Sequence, residues 1–126
     1  MPLVRVDLPE GRSAHERAAI ADVVYQAMVT TANVPANDRF VVLSEHSASD
    51  LIMDPHYLLE RSPAALVIQI TLNQGRSLEV KKALYRAIAD GLHERVGIAE
   101  NDVMISLVEV PKENWSFGAG IAQYAD

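Results

Sequence analysis

The sequence predicts an α/β fold: a tandem βαβ repeat whose four strands make one sheet, with two helices packed on one face. Three observations predict it. The chain matches itself without gaps at an offset of 64 residues: Glu10-Gly11-Arg12-Ser13 falls on Gln74-Gly75-Arg76-Ser77, and Asn37-Asp38 on Asn101-Asp102. Ile20, Val23, Val24, Ala27 and Met28 fall on Leu84, Ala87, Ile88, Gly91 and Leu92, and both sets have the spacing of a helix with one buried face. A run rich in Val, Ile and Leu precedes each helix, as a strand in a core requires.

Taken in order, Pro2 to Leu8 is the first strand. Gly11-Arg12-Ser13 is a turn, with Ser13 as helix N-cap and Glu16 placed to complete a capping box. The helix runs to about residue 32, where Asn33 suits a left-handed C-terminal stop, and Arg39 to Glu45 is the second strand. An irregular stretch, Ser47 to Pro63, leads to the copy. There, Ala64 to Leu72 is a strand, Ser77 caps a helix running to about residue 96, Gly97 stops it, and Val103 to Val110 is the last strand. Strand, helix, strand at this spacing implies two parallel pairs with right-handed crossovers. Residues 1–126 read as a single domain of two modules, about 1–46 and 64–110, followed by a tail containing Asn114-Trp115-Ser116-Phe117-Gly118.

Composition narrows the function. A net charge of −6 with scattered Lys and Arg argues against a nucleic-acid partner. No apolar run reaches the roughly 20 residues of a membrane span, and the opening Met1 to Asp7 lacks a signal-peptide layout, so a cytoplasmic protein is expected. Cysteine is absent, which removes thiolate chemistry. His15, His46, His56 and His93 show no metal-ligand spacing, and no metal is expected.

The candidate chemistry starts at Pro2. Proline after an initiator Met permits Met removal and leaves a secondary amine at the head of a strand that would hold it still. Burial would lower such an amine toward a general base, and a nearby carboxylate would raise it toward a general acid. The repeat partner of Pro2 is Leu66, so the two halves share a scaffold but not their chemistry. Asp38 reads equally as a strand-start residue, like Asp102, or as the carboxylate that keeps the amine protonated. Arg12 and Arg76 sit in strand-to-helix turns, where a guanidinium and helix N-terminal amides could grip a small carboxylate. Trp115 and Phe117, two apart, could wall a pocket or simply dock the tail.

Pro2 ahead of a duplicated βαβ module resembles the tautomerase superfamily. With Asp38, Arg76 and Trp115-Ser116-Phe117-Gly118, the chain is similar to that superfamily's malonate semialdehyde decarboxylases over its whole length. The resemblance implies a homotrimer without a cofactor that decarboxylates malonate semialdehyde or a similar 3-oxo acid, with a possible hydratase side activity. In that scheme Pro2, Asp38 and Arg76 are catalytic, and Gln74, Trp115, Phe117 and Arg12 bind substrate. Gln74 departs from the pattern, which has a second arginine there. The alternatives are a keto–enol tautomerase acting on a phenylpyruvate-like substrate with Pro2 as base, or a catalytically silent trimeric scaffold.

Overall fold

Strand β1 (Leu3–Pro9), helix α1 (Ala14–Thr31), β2 (Val41–His46), β3 (Leu66–Asn73), α2 (Leu78–Val96) and β4 (Val103–Val110) follow one another in the computed structural model, which describes residues 2–125. The sheet order is β2-β1-β3-β4. Each βαβ module contributes one parallel pair, and the modules meet where β1 runs antiparallel to β3. Arg5 pairs there with Gln69, its own partner under the 64-residue offset, with Val4 opposite Ile70 and Val6 opposite Ile68. A local twofold axis therefore passes between Arg5 and Gln69 and exchanges the two halves.

Strand alternation decides which side chains face the helices. Val4, Val6 and Leu8 of β1 and Leu66, Ile68, Ile70 and Leu72 of β3 lie in one buried cluster with Ile20, Val24 and Met28 of α1 and Leu84, Ile88 and Leu92 of α2. Burying each such side chain contributes roughly 1.5–3 kcal/mol. The alternate residues, among them Leu3, Arg5, Val67 and Gln69, face away from the helices on an open side where Val42, Met104 and Val108 are also well exposed. Among the described residues, no helix is long and apolar enough to cross a membrane.

The helix ends obey the repeat closely. Ser13 accepts from Glu16 N–H at 3.1 Å while Glu16 accepts from Ser13 N–H at 3.2 Å, the expected capping box. Ser77 caps α2 through Val80 N–H, but valine at that position cannot return the bond. At the C-terminal ends, Val34 N–H reaches the Met28 carbonyl and Ile98 N–H reaches the Leu92 carbonyl, the same closure one repeat apart. Asn33 (φ 57°) and Gly97 (φ 73°) both adopt the left-handed conformation this closure needs. Three strands start later than the sequence suggested, β3 among them at Leu66 and not Ala64. Pro2 has no N–H for the ladder and stays outside β1, and Asp38-Arg39-Phe40 form a lead-in to β2.

Where the helices cross, a Cβ on Gly91 would stand 2.7 Å from a Val23 methyl. At the repeat-related positions the residues are Ala27 and Ala87, so each crossing tolerates a limited combined volume. Gly91→Ala gains about 1 kcal/mol of helix propensity but overpacks a stiff β-branched neighbour, which typically costs about 1–3 kcal/mol. Urea denaturation should show a net loss of about 1 kcal/mol. Val23→Ala in the same chain should cost less than it does alone, a coupling of about 1 kcal/mol in a double-mutant cycle.

Candidate active site

The topology brings four chain segments to one end of the sheet. β1 starts there at Pro2. Because β2 is parallel to β1, its lead-in Asp38-Arg39-Phe40 lies beside that start, and Val4 N–H bonds the Phe40 carbonyl at 2.9 Å. Because β3 is antiparallel, its end arrives at the same place, with Thr71 opposite Leu3 and Asn73, Gln74 and Arg76 just beyond. Because β4 is parallel to β3, the tail after Val110 leaves from this end too.

Pro2 is buried there and lines a pocket of ≈ 210 Å³ with Leu3, Phe40, Trp115, Ser116 and Phe117. The tail rings stack, Trp115 on Phe117 at 5.4 Å between centroids and 11° between planes, and Phe40 stands 6.2 Å from Phe117. Arg76 is half-buried, donating Nε to the Ala32 carbonyl and Nη1 to the Asn73 carbonyl, each at 3.0 Å. These bonds fix the guanidinium within electrostatic range of Asp38. Gln74 is exposed and donates its backbone N–H to the Val110 carbonyl at 3.0 Å.

Asp38 is 3% exposed. Its removal from water raises its pKa above the usual carboxylate range, while the positive charge of Arg76 pulls the other way. A carboxyl in this state can hold a proton on a neighbouring amine or share one with it. Met1, whose removal would free the Pro2 amine, lies outside the described residues.

Under the twofold, the opposite end of the sheet is the image of this one, and there the linker takes up the carboxylate. Asp102, the partner of Asp38, is 4% exposed, but it accepts Ser62 N–H at 2.8 Å and Ser62 Oγ–H at 2.6 Å. Leu51 and Met53, the partners of Trp115 and Phe117, line a smaller cavity of ≈ 150 Å³ with Ser62 and Pro63 of the same linker. Arg12 belongs to that end. It follows the far terminus of β1, roughly 20 Å from Pro2 by strand rise, and its guanidinium bonds Glu16 at 3.1 Å. The structure thus groups Pro2, Asp38, Arg76, Gln74, Trp115 and Phe117 at one end and leaves Arg12 outside, because a residue after β1 exits away from the strand's start. A wider open groove of ≈ 480 Å³ between α2 and β4 holds no such set, and Arg86 in it is committed to Asp90 and Glu100.

Sequence reasoning missed Phe40, Asn73 and Tyr124. Asn73 accepts the Trp115 indole N–H on Oδ1 at 2.8 Å, and Tyr124 meets Phe117 edge-on at 5.4 Å. Partial burial, and then the Asp38 charge, raise the Tyr124 pKa, so the phenol keeps its proton. The repeat held a clue to Asn73, since its partner is Pro9, a replacement the scaffold itself does not need. No group of three or more His, Asp or Glu side chains among the described residues is arranged to hold a metal ion.

A family profile described as tautomerase enzyme matches residues 38–118, and another of the same description matches residues 2–61. The probable tautomerase YusQ of Bacillus subtilis (strain 168) is 40% identical over 124 residues, 98% of either chain. A crystal structure of FG41 malonate semialdehyde decarboxylase inhibited by 3-bromopropiolate is 41% identical, with a TM-score of 0.91 over 97% of this chain and 93% of that one. A malonate semialdehyde decarboxylase studied for its decarboxylase and hydratase activities is 32% identical, with a TM-score of 0.90 over 97% and 95%. With its fold and sequence so matched, the chain belongs to the tautomerase family.

The raised pKa of Asp38 has a consequence for stability. The unfolded chain ionises this carboxyl near about 3.9, the folded chain at higher pH, so folded protein binds the extra proton and loses stability as pH rises between the two values. Asp38→Asn should therefore melt at a higher temperature than the parent at pH 7. The gap should narrow toward pH 4, which thermal melts across that range will read.

Proposed function

We propose that this chain is a cytoplasmic, cofactor-independent decarboxylase of malonate semialdehyde or a similar 3-oxo acid. In this reading it works through the amine of Pro2 once Met1 is gone. The observation that carries the reading is the buried carboxylate of Asp38 and the fixed guanidinium of Arg76 at the same end of the sheet as Pro2, beside an aromatic wall. Identity of 41% across nearly the whole of a malonate semialdehyde decarboxylase supports the same choice.

The chemistry follows from charge. An anionic Asp38 favours the protonated form of a nearby amine, and the resulting ammonium can donate a hydrogen bond to the aldehyde oxygen of the substrate. Arg76 supplies a fork for the substrate carboxylate, or polarises the carbonyl. As the bond between the carboxyl carbon and its neighbour breaks, its electron pair moves toward the polarised carbonyl and forms an enol, and carbon dioxide departs. The enol carbon then takes a proton while the enol oxygen gives its own up to Pro2, which leaves acetaldehyde from malonate semialdehyde. Trp115 and Phe117 present an apolar surface that favours loss of the carboxylate charge. Gln74 donates hydrogen bonds where a second arginine would add charge, which weakens the grip on a dianionic or hydrated substrate. A water placed by Asp38 would allow hydration of an acetylenic acid as a side reaction.

The open sheet face, with Val42, Met104 and Val108 exposed, supplies apolar surface for a homotrimer. The likeness to a probable tautomerase at 40% identity favours one alternative, keto–enol conversion of a phenylpyruvate-like compound with Pro2 unprotonated as base.

Carbon dioxide release from malonate semialdehyde, measured beside enol-to-keto conversion of phenylpyruvate, separates the two. Decarboxylation should dominate, and Pro2→Ala should lower it by about 10²–10⁴-fold. An NMR titration of the Pro2 nitrogen should give a pKa above the free-amine value of about 8. A value well below that, with phenylpyruvate the better substrate, would establish the tautomerase instead. Intact mass showing Met1 retained on the cellular protein would remove both.

A further inference from the structure

Asn73 ends β3 beside Val110 and is 9% exposed. Its polar groups reach two parts of the site. Oδ1 accepts the Trp115 indole N–H at 2.8 Å, and the backbone carbonyl accepts Arg76 Nη1 at 3.0 Å. An indole N–H can only donate, so Oδ1 is its acceptor.

The rings complete the arrangement. Trp115 stacks on Phe117 at 5.4 Å and Phe117 meets the edge of Tyr124 at 5.4 Å, so Asn73, Trp115, Phe117 and Tyr124 form a continuous run of side-chain contacts from the sheet to the tail. Gln123 braces the tail internally, accepting Phe117 N–H and donating to the Gly118 carbonyl, each at 2.9 Å. Asn73 instead joins the tail to the sheet. Tyr124, 41% exposed, forms the rim. At the opposite end of the sheet the repeat partner is Pro9, which has neither an amide side chain nor a backbone N–H to form such a join.

We propose that Asn73 is a positioning residue for the pocket at Pro2: its side chain latches the tail aromatics over the pocket while its carbonyl aims Arg76. The assignment rests on the reading that Pro2 is the reacting group. It separates two functions in one residue, because a side-chain substitution releases the wall but leaves the carbonyl on Arg76.

Asn73→Leu tests it, with Trp115 as reporter, since it is the single tryptophan of the chain. Its emission should move to longer wavelength and become more accessible to acrylamide. With the compound that wild type turns over, kcat should fall about 10–100-fold, the scale of a small misplacement, while KM stays within about twofold because Arg76 keeps its partner. Unchanged emission and quenching, or a rise in KM with kcat preserved, would overturn the proposal. Should Asn73→Leu fail to fold by circular dichroism, Asn73→Ser keeps a polar side chain but is too short to reach the Trp115 indole N–H. It should move the Trp115 emission and lower kcat in the same way, and unchanged emission with unchanged kcat would overturn the latch. If wild type releases no carbon dioxide, the decarboxylase reading falls, whereas the Trp115 measurements still decide whether Asn73 holds the tail.

Discussion

The antiparallel pairing of β1 with β3 is the constraint on which the rest depends. Through it the start of one strand and the end of another meet, and each carries its parallel partner's end along. Had the central pair been parallel, Pro2 would lie beside the start of β3, and Arg76 would leave from the far end. Buried aliphatic rows on β1 and β3 lock the register, because a slip of one residue would turn Val4, Val6 and Leu8 away from the helices. The candidate site is thus placed by the hydrophobic core, without any contact among Pro2, Asp38 and Arg76 having to be strong.

Duplication makes two ends with the same scaffold, and the fate of one carboxylate at each tells them apart. Asp102 and Asp38 hold equivalent positions and are equally sheltered from water. Asp102 is occupied by Ser62, which makes it a linker anchor. Asp38 sits by the segment that begins at Pro2 and within the field of Arg76, with an elevated affinity for a proton. A buried carboxyl engaged by two donors of one serine anchors structure, whereas one with a raised proton affinity beside a pocket is a candidate for chemistry.

Most of the fold was legible in the sequence because the repeat shows each element twice. The capping box at Ser13 and Glu16, the left-handed stops at Asn33 and Gly97 and the two helix faces all appear where local chemistry demands them. Strand starts were less legible: Pro2 and Asp38-Arg39-Phe40 look like strand by composition, but pairing depends on a partner's backbone and not on residue type. Pro2, Asp38 and Arg76 could be singled out by their chemistry, and the antiparallel centre then explains why Arg12, the arginine of the matching turn, is left at the other end. Asn73 and Tyr124 escaped notice because an amide at a strand end and a tyrosine near a chain end carry no pattern. Their importance comes from a fold-back that only three dimensions reveal.

The linker anchored at the image end has an implication for how such a molecule can change. Replacing Ser62 would strand a desolvated carboxyl in the structural half, so this loop residue is tied down as firmly as a core side chain. The tail occupies the corresponding place in the other half, yet it holds there by ring contacts and one amide, and its outer rim touches water. Drift is therefore restricted on one side of the axis and permitted on the other. A duplicated fold of this kind can explore new substrates by rewriting its last dozen residues while its middle stays still.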